Sequence, residues 1–514
     1  MRVGSVVRID LHGRRVRGWV VADGAGSAHD IALKPIAKVS PGFVDPELVD
    51  LSTWAAWRWA GKRRTFLSTA THPSANWARQ EPKNKISRAQ FEERVVLRLA
   101  PAIDPWDVVV EAAGKGPTLL LVPSLARVER WRRRLRDAGI SGVVVGARAG
   151  AWASCPGLAA VVVIDAHDES YGEERAPTWN AWVVAAERAR RAGAPCTLVT
   201  PTPTPELLAW GEVIAPDHAA ERRGWARLEV VDRRGDDPRT GLWSTRVVDV
   251  VRGGGRVLCV LNRTGRARLL RCGTCGTVAT CERCASAVHQ NDVGQLACDR
   301  CGAQRPTVCL ACGASKFKAL RIGTARAAEE LAALVGEPVG EVTGASADVP
   351  DTRVLIGTEA LLHRAGRADA VVFVDLDAEL SAPHFRANEA ALALLARASR
   401  IVRGRIDDGR VVVQTRQPDH PVLQAVLAAE PQRVVEQDDV LRRALDLPPY
   451  VALARLSGDD APGDADMLHG RMGIDVLGPD DAGAFLIRAP AHDVLCDALR
   501  EIHGARIAVD PVRV

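Results

Sequence analysis

Short runs of apolar residues recur through the middle of this chain, separated by arginine- and alanine-rich stretches with helical spacing. Residues 118–122, 143–145, 160–164 and 197–199 form one set, and residues 257–261, 319–322, 353–356, 371–375 and 411–415 form a second. A run that is apolar at nearly every position has no face to offer water. Each therefore predicts a strand covered on both sides, as in a parallel sheet with crossover helices. Two such sets in tandem predict two α/β lobes with a cleft between them.

The flanks read differently. Residues 3–21 alternate apolar and polar around His12-Gly13, which predicts two antiparallel strands joined by a tight turn. Leu33-Lys34-Pro35-Ile36 follows, then a helical pattern from Pro46 to Lys62. Trp54, Trp57 and Trp59 precede Lys62-Arg63-Arg64, a mixture able to stack bases and neutralise phosphate. Helical spacing favours the plainer reading, a helix core with a solvated basic end. Residues 71–90 are polar and interrupted by Pro73 and Pro82, and predict a linker. The expected divisions are a small N-terminal domain over 1–70, a linker over 71–90, lobes over 91–235 and 236–445, and a C-terminal α/β domain over 446–514.

The 514 residues, 47% apolar and 25% charged, contain no run long enough to span a bilayer and point to a soluble, cytoplasmic, multidomain protein. The net charge of +5 permits nucleic-acid binding without requiring it. Among 68 basic residues, arginine so outnumbers lysine that the bias reads as genome composition.

Cysteine spacing changes the picture. Eight of twelve cysteines form four CxxC pairs: Cys272/Cys275, Cys281/Cys284, Cys298/Cys301 and Cys309/Cys312. A CxxC turn aims two thiolates at one tetrahedral ion, so four pairs supply two closed four-thiolate zinc sites over residues 271–316. A disulfide framework is the competing reading. It belongs to small secreted chains, and this chain is long, with no apolar signal segment at its start. Closed sites leave no position for substrate, so the two Zn²⁺ ions would organise a surface. Cys155, Cys196, Cys259 and Cys496 sit alone in apolar surroundings and read as buried free thiols.

Several longer segments carry a resemblance. Val257-Leu-Cys-Val-Leu-Asn-Arg-Thr-Gly265, the cysteine ladder and Leu320-Arg-Ile-Gly-Thr324 occur in the order found in the primosomal protein N′ (PriA) family of replication-restart helicases. Residues 354–361, Asp375-Leu-Asp377, Pro383-His-Phe-Arg-Ala-Asn-Glu389, residues 414–421, residues 121–124, residues 164–171 and Leu447-Pro-Pro-Tyr450 are similar too. The resemblance spans nearly the whole chain. It implies two RecA-like helicase lobes, the second carrying the zinc insertion. It implies nested zinc sites, one of Cys272, Cys275, Cys309 and Cys312 and one of Cys281, Cys284, Cys298 and Cys301, where spacing alone leaves the pairing open. It also implies that Lys34, in the family's Leu-Lys-Pro stretch, helps hold a DNA 3′ end, although a lone lysine before proline is commonly just solvated, and that the N-terminal domain is shortened.

The departures all concern ATP. A P-loop needs a glycine-rich turn, a lysine and a Ser/Thr, and residues 102–106 ahead of Leu119 supply none of them. Gly114-Lys115-Gly116-Pro117 lacks both the spacing and the hydroxyl. The family's Asp-Glu-Glu-His reads Asp165-Ala166-His167, and its Gln-x-x-Gly-Arg-x-Gly-Arg reads 397–404, leaving Arg400 and Arg403 out of register. An arginine finger alone is worth about 10³–10⁵ in rate. The expectation is a protein that binds forked or single-stranded DNA and assembles other primosome proteins without hydrolysing ATP. The alternatives are an active ATP-dependent 3′→5′ helicase and a zinc-ribbon scaffold that binds no DNA.

Overall fold

The computed structural model describes residues 1–24, 35–71, 93–236, 241–261, 270–283, 287–291, 293–298, 301–319 and 324–511. Lys34, Cys284 and most of the expected linker lie outside the described residues.

The two sets of apolar runs build two six-stranded parallel sheets. The first has the order Val143–Gly146, Thr118–Leu121, Ala160–Ile164, Cys196–Thr200, Arg94–Arg98, Glu212–Ile214. The second runs Arg227–Asp232, Arg410–Thr415, Ala370–Asp375, Val257–Leu261, Val354–Gly357, Val339–Val342. Every residue of Thr118–Leu121, Ala160–Ile164 and Val257–Leu261 is buried, as runs without a polar face require. Each fully buried Val or Leu contributes about 1.5–3 kcal/mol.

Four strands escaped the pattern because they are less apolar, Arg227–Asp232 and three at or near sheet edges. Arg94–Arg98 and Glu212–Ile214 close one edge of the first sheet, and Val339–Val342 one edge of the second. Two expectations differ from the structure. Arg227–Asp232, on the first-lobe side of the expected division at 235/236, pairs with Arg410–Thr415 in the second sheet. The run at 319–322 is not a lobe strand in its described part: Phe317–Ala319 pairs antiparallel with Leu270–Cys272 in a two-stranded ribbon at the base of the cysteine-rich insertion. An isolated apolar run carries no information about which sheet will accept it.

At the N-terminus, Ser5–Leu11 and Arg14–Trp19 form the expected hairpin, with both turn residues at positive φ (His12 +49°, Gly13 +75°), and Lys38–Phe43 adds a third strand. The helix expected over 46–62 ends at Arg58, and a second helix, Arg63–Ala70, follows a break at Ala60-Gly61. The tryptophans are packing residues. Trp59 is 1% exposed, lies edge-on to Trp54 at 5.3 Å and packs on Phe66, while Trp57 donates to Asp497 Oδ1 at 2.8 Å. That last bond and Arg58 to Asp510 (2.6 Å) tie the N-terminal helix to the C-terminal domain, a four-stranded antiparallel sheet with the helices Ala461–Leu468 and His492–Leu499. Among the described residues no helix is long and apolar enough to cross a membrane.

Candidate functional site

The first functional feature is the cleft between the lobes. The strand Ala160–Ile164 delivers Asp165 to its rim, where φ is +55°, a left-handed conformation rare for a residue with a side chain. Ala166 N bonds Val199 O at 3.0 Å, and the fully buried Tyr171 hydroxyl returns to Ile164 O at 2.7 Å, so the turn is held from both sides. The Asp165 side chain is 4% exposed. It is surrounded by arginine. Arg400, on the helix Ala387–Ile401 of the second lobe, donates to both carboxylate oxygens at 2.6 and 2.7 Å, and Arg127, from the first turn of Leu125–Asp137, donates to Oδ2. Burial alone would raise the Asp165 pKa, but Arg400 and Arg127 outweigh it and hold the carboxyl well below the usual range.

Arg397 repeats the contact one turn earlier on the helix. It donates to Asp168 at 2.6 Å and also reaches Glu359 and His363. His167 lies between the two acids, with Nδ1 2.9 Å from Thr200 Oγ1, and burial pushes its pKa down to about 4. Arg403 does not join them. It stands at φ +60° on the surface and pairs with Asp407 at 3.1 Å. Where the first lobe would present a phosphate loop, residues 99–105 connect Arg94–Arg98 to the helix Trp106–Gly114. They contain Asp104 and two prolines but no glycine, and Pro101 O accepts from Arg400 Nε at 2.9 Å. Lys115 lies past that helix's C-terminal end, paired with Glu111.

A second group of charges spans the lobes nearby. Glu206, on the helix Pro205–Trp210 of the first lobe, accepts from Arg386 (2.6 Å) and Arg442 (2.8 Å) of the second, and Arg442 also pairs with Glu389. Phe385 lies 4.8 Å from both guanidinium groups. Burial and the neighbouring Glu206 push Glu389 up to about 8. Arg386 and Glu389 belong to the distinctive segment at 383–389. The sequence displayed them without revealing their partners, since Glu206 and Arg442 carry no motif.

The second feature is the insertion. Cys272, Cys275, Cys309 and Cys312 bring their sulfurs within 4.8 Å of one another, as do Cys281, Cys298 and Cys301. Sulfur pairs lie at 3.6 Å (Cys272–Cys312), 3.6 Å (Cys275–Cys309) and 3.5 Å (Cys281–Cys301). A tetrahedral ion with Zn–S bonds of about 2.3 Å separates its ligands by roughly 3.8 Å, so these groups fit zinc. Gly276, Gly302 and Gly313 follow CxxC pairs at positive φ (+75°, +68°, +74°), where the chain must turn back on itself. Among the described residues the module's apolar core is small: Ala279, Val288 and Leu296 with Cys281 and Cys298. Of the other cysteines, Cys155, Cys196, Cys259 and Cys496 are buried and free, with pKa values raised by burial.

Two facing parallel α/β lobes, the second interrupted by a cysteine-rich metal-binding insertion, define the class of the protein. Comparison with known proteins supplies the family. The chain is 30% identical over 456 residues to the replication restart protein PriA of Treponema pallidum, covering 76% of this chain and 67% of that protein. It is 27% identical over 434 residues to that of Haemophilus influenzae (74% and 58%), and 28% identical over 501 residues to the probable PriA of Mycobacterium tuberculosis (87% and 75%). The chain belongs to the PriA replication-restart family. No family model matches it.

Proposed function

We propose that this protein acts in replication restart by binding forked DNA and gathering other primosome proteins, with its two lobes serving as a fixed scaffold and not as an ATP-driven motor. The observation that carries the proposal is the occupancy of Asp165. A carboxylate at the end of a central parallel strand can serve an NTPase only if it is free to reach Mg²⁺. Here both oxygens are engaged by Arg400, and Arg127 adds a third bond. Ala166 follows where a water-activating carboxylate would be needed, and residues 99–105 offer no glycine turn or lysine for phosphate. The direct pairs Asp165–Arg400, Asp168–Arg397 and Glu206–Arg386 join one lobe to the other.

The eight CxxC cysteines are assigned to two structural zinc ions, nested as the two clusters suggest, with Cys284 completing the inner site. Lys34 is retained as a candidate DNA contact. The test is DNA-stimulated ATP hydrolysis by zinc-loaded protein on a forked substrate, together with fork binding. Binding without turnover is expected, and turnover well above background would restore the motor reading. Neither binding nor turnover would leave a scaffold that recognises proteins alone.

A further inference from the structure

Among the described residues, the buried apolar clusters do not cross from one lobe to the other. One cluster runs from Trp59 of the N-terminal helix through Trp152 of the first lobe to Leu495 of the C-terminal domain, whereas the second lobe packs around clusters of its own. Ion pairs do cross, and one group of them is out of balance. Three carboxylates, Glu206, Glu389 and Asp438, stand with two guanidinium groups, Arg386 and Arg442. Glu206 takes both arginines through Oε1, at 2.6 and 2.8 Å, and its Oε2 is buried with no hydrogen-bond partner. Arg442 also pairs with Glu389, Arg386 lies 3.6 Å from Glu389, and Asp438 accepts from Asn388 at 2.8 Å. Asp438 and Arg442 are almost completely buried, and the Glu389 side chain is 10% exposed. Asp510, the further acid that acts on Arg386, is matched by Arg58 and His492.

Two guanidinium groups neutralise two carboxylates, so the third would leave a negative charge inside the protein, where an uncompensated ion is costly. A bound proton removes that cost. Glu389 is the acid that holds it: burial, then Glu206, and also Asp438 raise its pKa from an ordinary 4.5 to about 8, against the pull of Arg442 and Arg386. Glu206 is also buried, but Arg386 and Arg442 outweigh that and keep it ionised. We propose that this cluster is a proton-set latch: with Glu389 neutral the second lobe stays seated on the rest of the molecule, and with Glu389 charged the seat is under repulsion and the lobes part. Glu206, Arg386 and Glu389 line a cavity of about 2130 Å³ between the lobes, which gives solvent a route to the proton and would widen on opening. The inference rests on the reading above of lobes joined by charge and not driven by ATP. Its sign follows from linkage. Closure binds the Glu389 proton more tightly than the open, hydrated state does, so this contribution to closure is complete below pH 4.5. It is lost as pH rises to about 8, by up to about tenfold in the closed-to-open ratio per pH unit, and changes no further above that.

The test follows the full zinc-loaded chain by small-angle X-ray scattering from about pH 6 to about pH 8.5, with circular dichroism as a check on folding. The wild-type radius of gyration should grow over that range while helix content stays constant. Glu389→Gln, which fixes the neutral form, and Asp438→Asn, which removes the surplus charge, should each hold the radius at its low-pH value. Infrared spectra at about pH 7 should show a protonated carboxyl band in the wild type that Glu389→Gln lacks. A wild-type radius that ignores pH, or one that grows equally in both variants, would overturn the inference. So would expansion accompanied by loss of helix, or a wild type with no protonated carboxyl at that pH. The broader reading fails separately: ATP turnover with a radius that responds to nucleotide would sink the scaffold, whereas no turnover and a radius indifferent to pH would sink the latch alone.

Discussion

The cysteine-rich insertion and the inter-lobe cleft are both organised by polar groups, yet they obey opposite rules. In the insertion the partners lie within 41 residues of chain, from Cys272 to Cys312, and two-residue spacers preset their geometry. In the cleft the partners are remote: Asp165 meets Arg400 across 235 positions and Arg397 meets Asp168 across 229. The insertion has a small apolar core and depends on what its sulfurs hold. The lobes possess large cores of their own, and their ion pairs decide only how one lobe sits on the other. Local spacing therefore announces a metal centre, while a charge lock between lobes leaves no pattern along the chain.

The comparison can be broken most forcefully at the insertion. Cys309→Ala should release about one zinc per chain and unfold its part of the module, since structural zinc supplies about 10–16 kcal/mol of apparent folding energy per site. Metal content and proteolytic sensitivity near residues 270–319 would register the loss, with the main unfolding transition of the lobes left in place. A shift of that main transition instead would mean that the insertion is part of the lobe's cooperative unit.

The next effect belongs to the cleft. Arg400→Ala removes the bidentate partner of a buried carboxylate but leaves Arg127, so a destabilisation of about 1.5–3 kcal/mol is expected in denaturant unfolding. Arg403→Ala, on the surface, should change stability by less than about 0.5 kcal/mol. Equal effects for the two would show that the lobes do not depend on the Asp165 pair.

A separate effect is one of pH. Burial holds the His167 base at about 4, below its ordinary 6.5, so the folded state binds fewer protons than the unfolded one. That contribution is complete above pH 6.5 and lost as pH falls from there toward 4. Asp165 and Asp168 have depressed values, and their contributions fade only below about 3.8, so the two windows are separable. His167→Gln should flatten the stability profile between pH 6.5 and 4, and an unchanged slope there would assign it to other groups such as His420, which burial also pushes to about 4.

Much of the architecture was legible. Runs such as 118–121, 160–164 and 257–261 can be stable only with both faces covered, and they lie at sheet centres. Arg94–Arg98 and Glu212–Ile214 were missed because edge or near-edge strands tolerate arginine and glutamate, which blur the apolar signal. Lys62-Arg63-Arg64 invited a nucleic-acid reading. Instead it opens a helix, and Arg63 donates inward to Ser52 Oγ (3.0 Å) and Val49 O (2.8 Å). The cations that do face outward together, Arg8, Arg17 and Lys38, are scattered along the sequence and become neighbours only through strand register.

By itself, then, the sequence determined whatever depends on spacing along the chain: two sets of buried strands, a hairpin at His12-Gly13, and cysteines paired for metal. Tertiary structure alone decided that Asp165 faces Arg400 and Arg127, that Glu206 is shared by Arg386 and Arg442, and that a cationic row crosses the N-terminal sheet. The reason is physical. A turn or a strand draws its preference from residues a few positions apart, whereas an ion pair needs only closeness in space, and any of the chain's 68 basic and 63 acidic residues could have met until the fold chose among them.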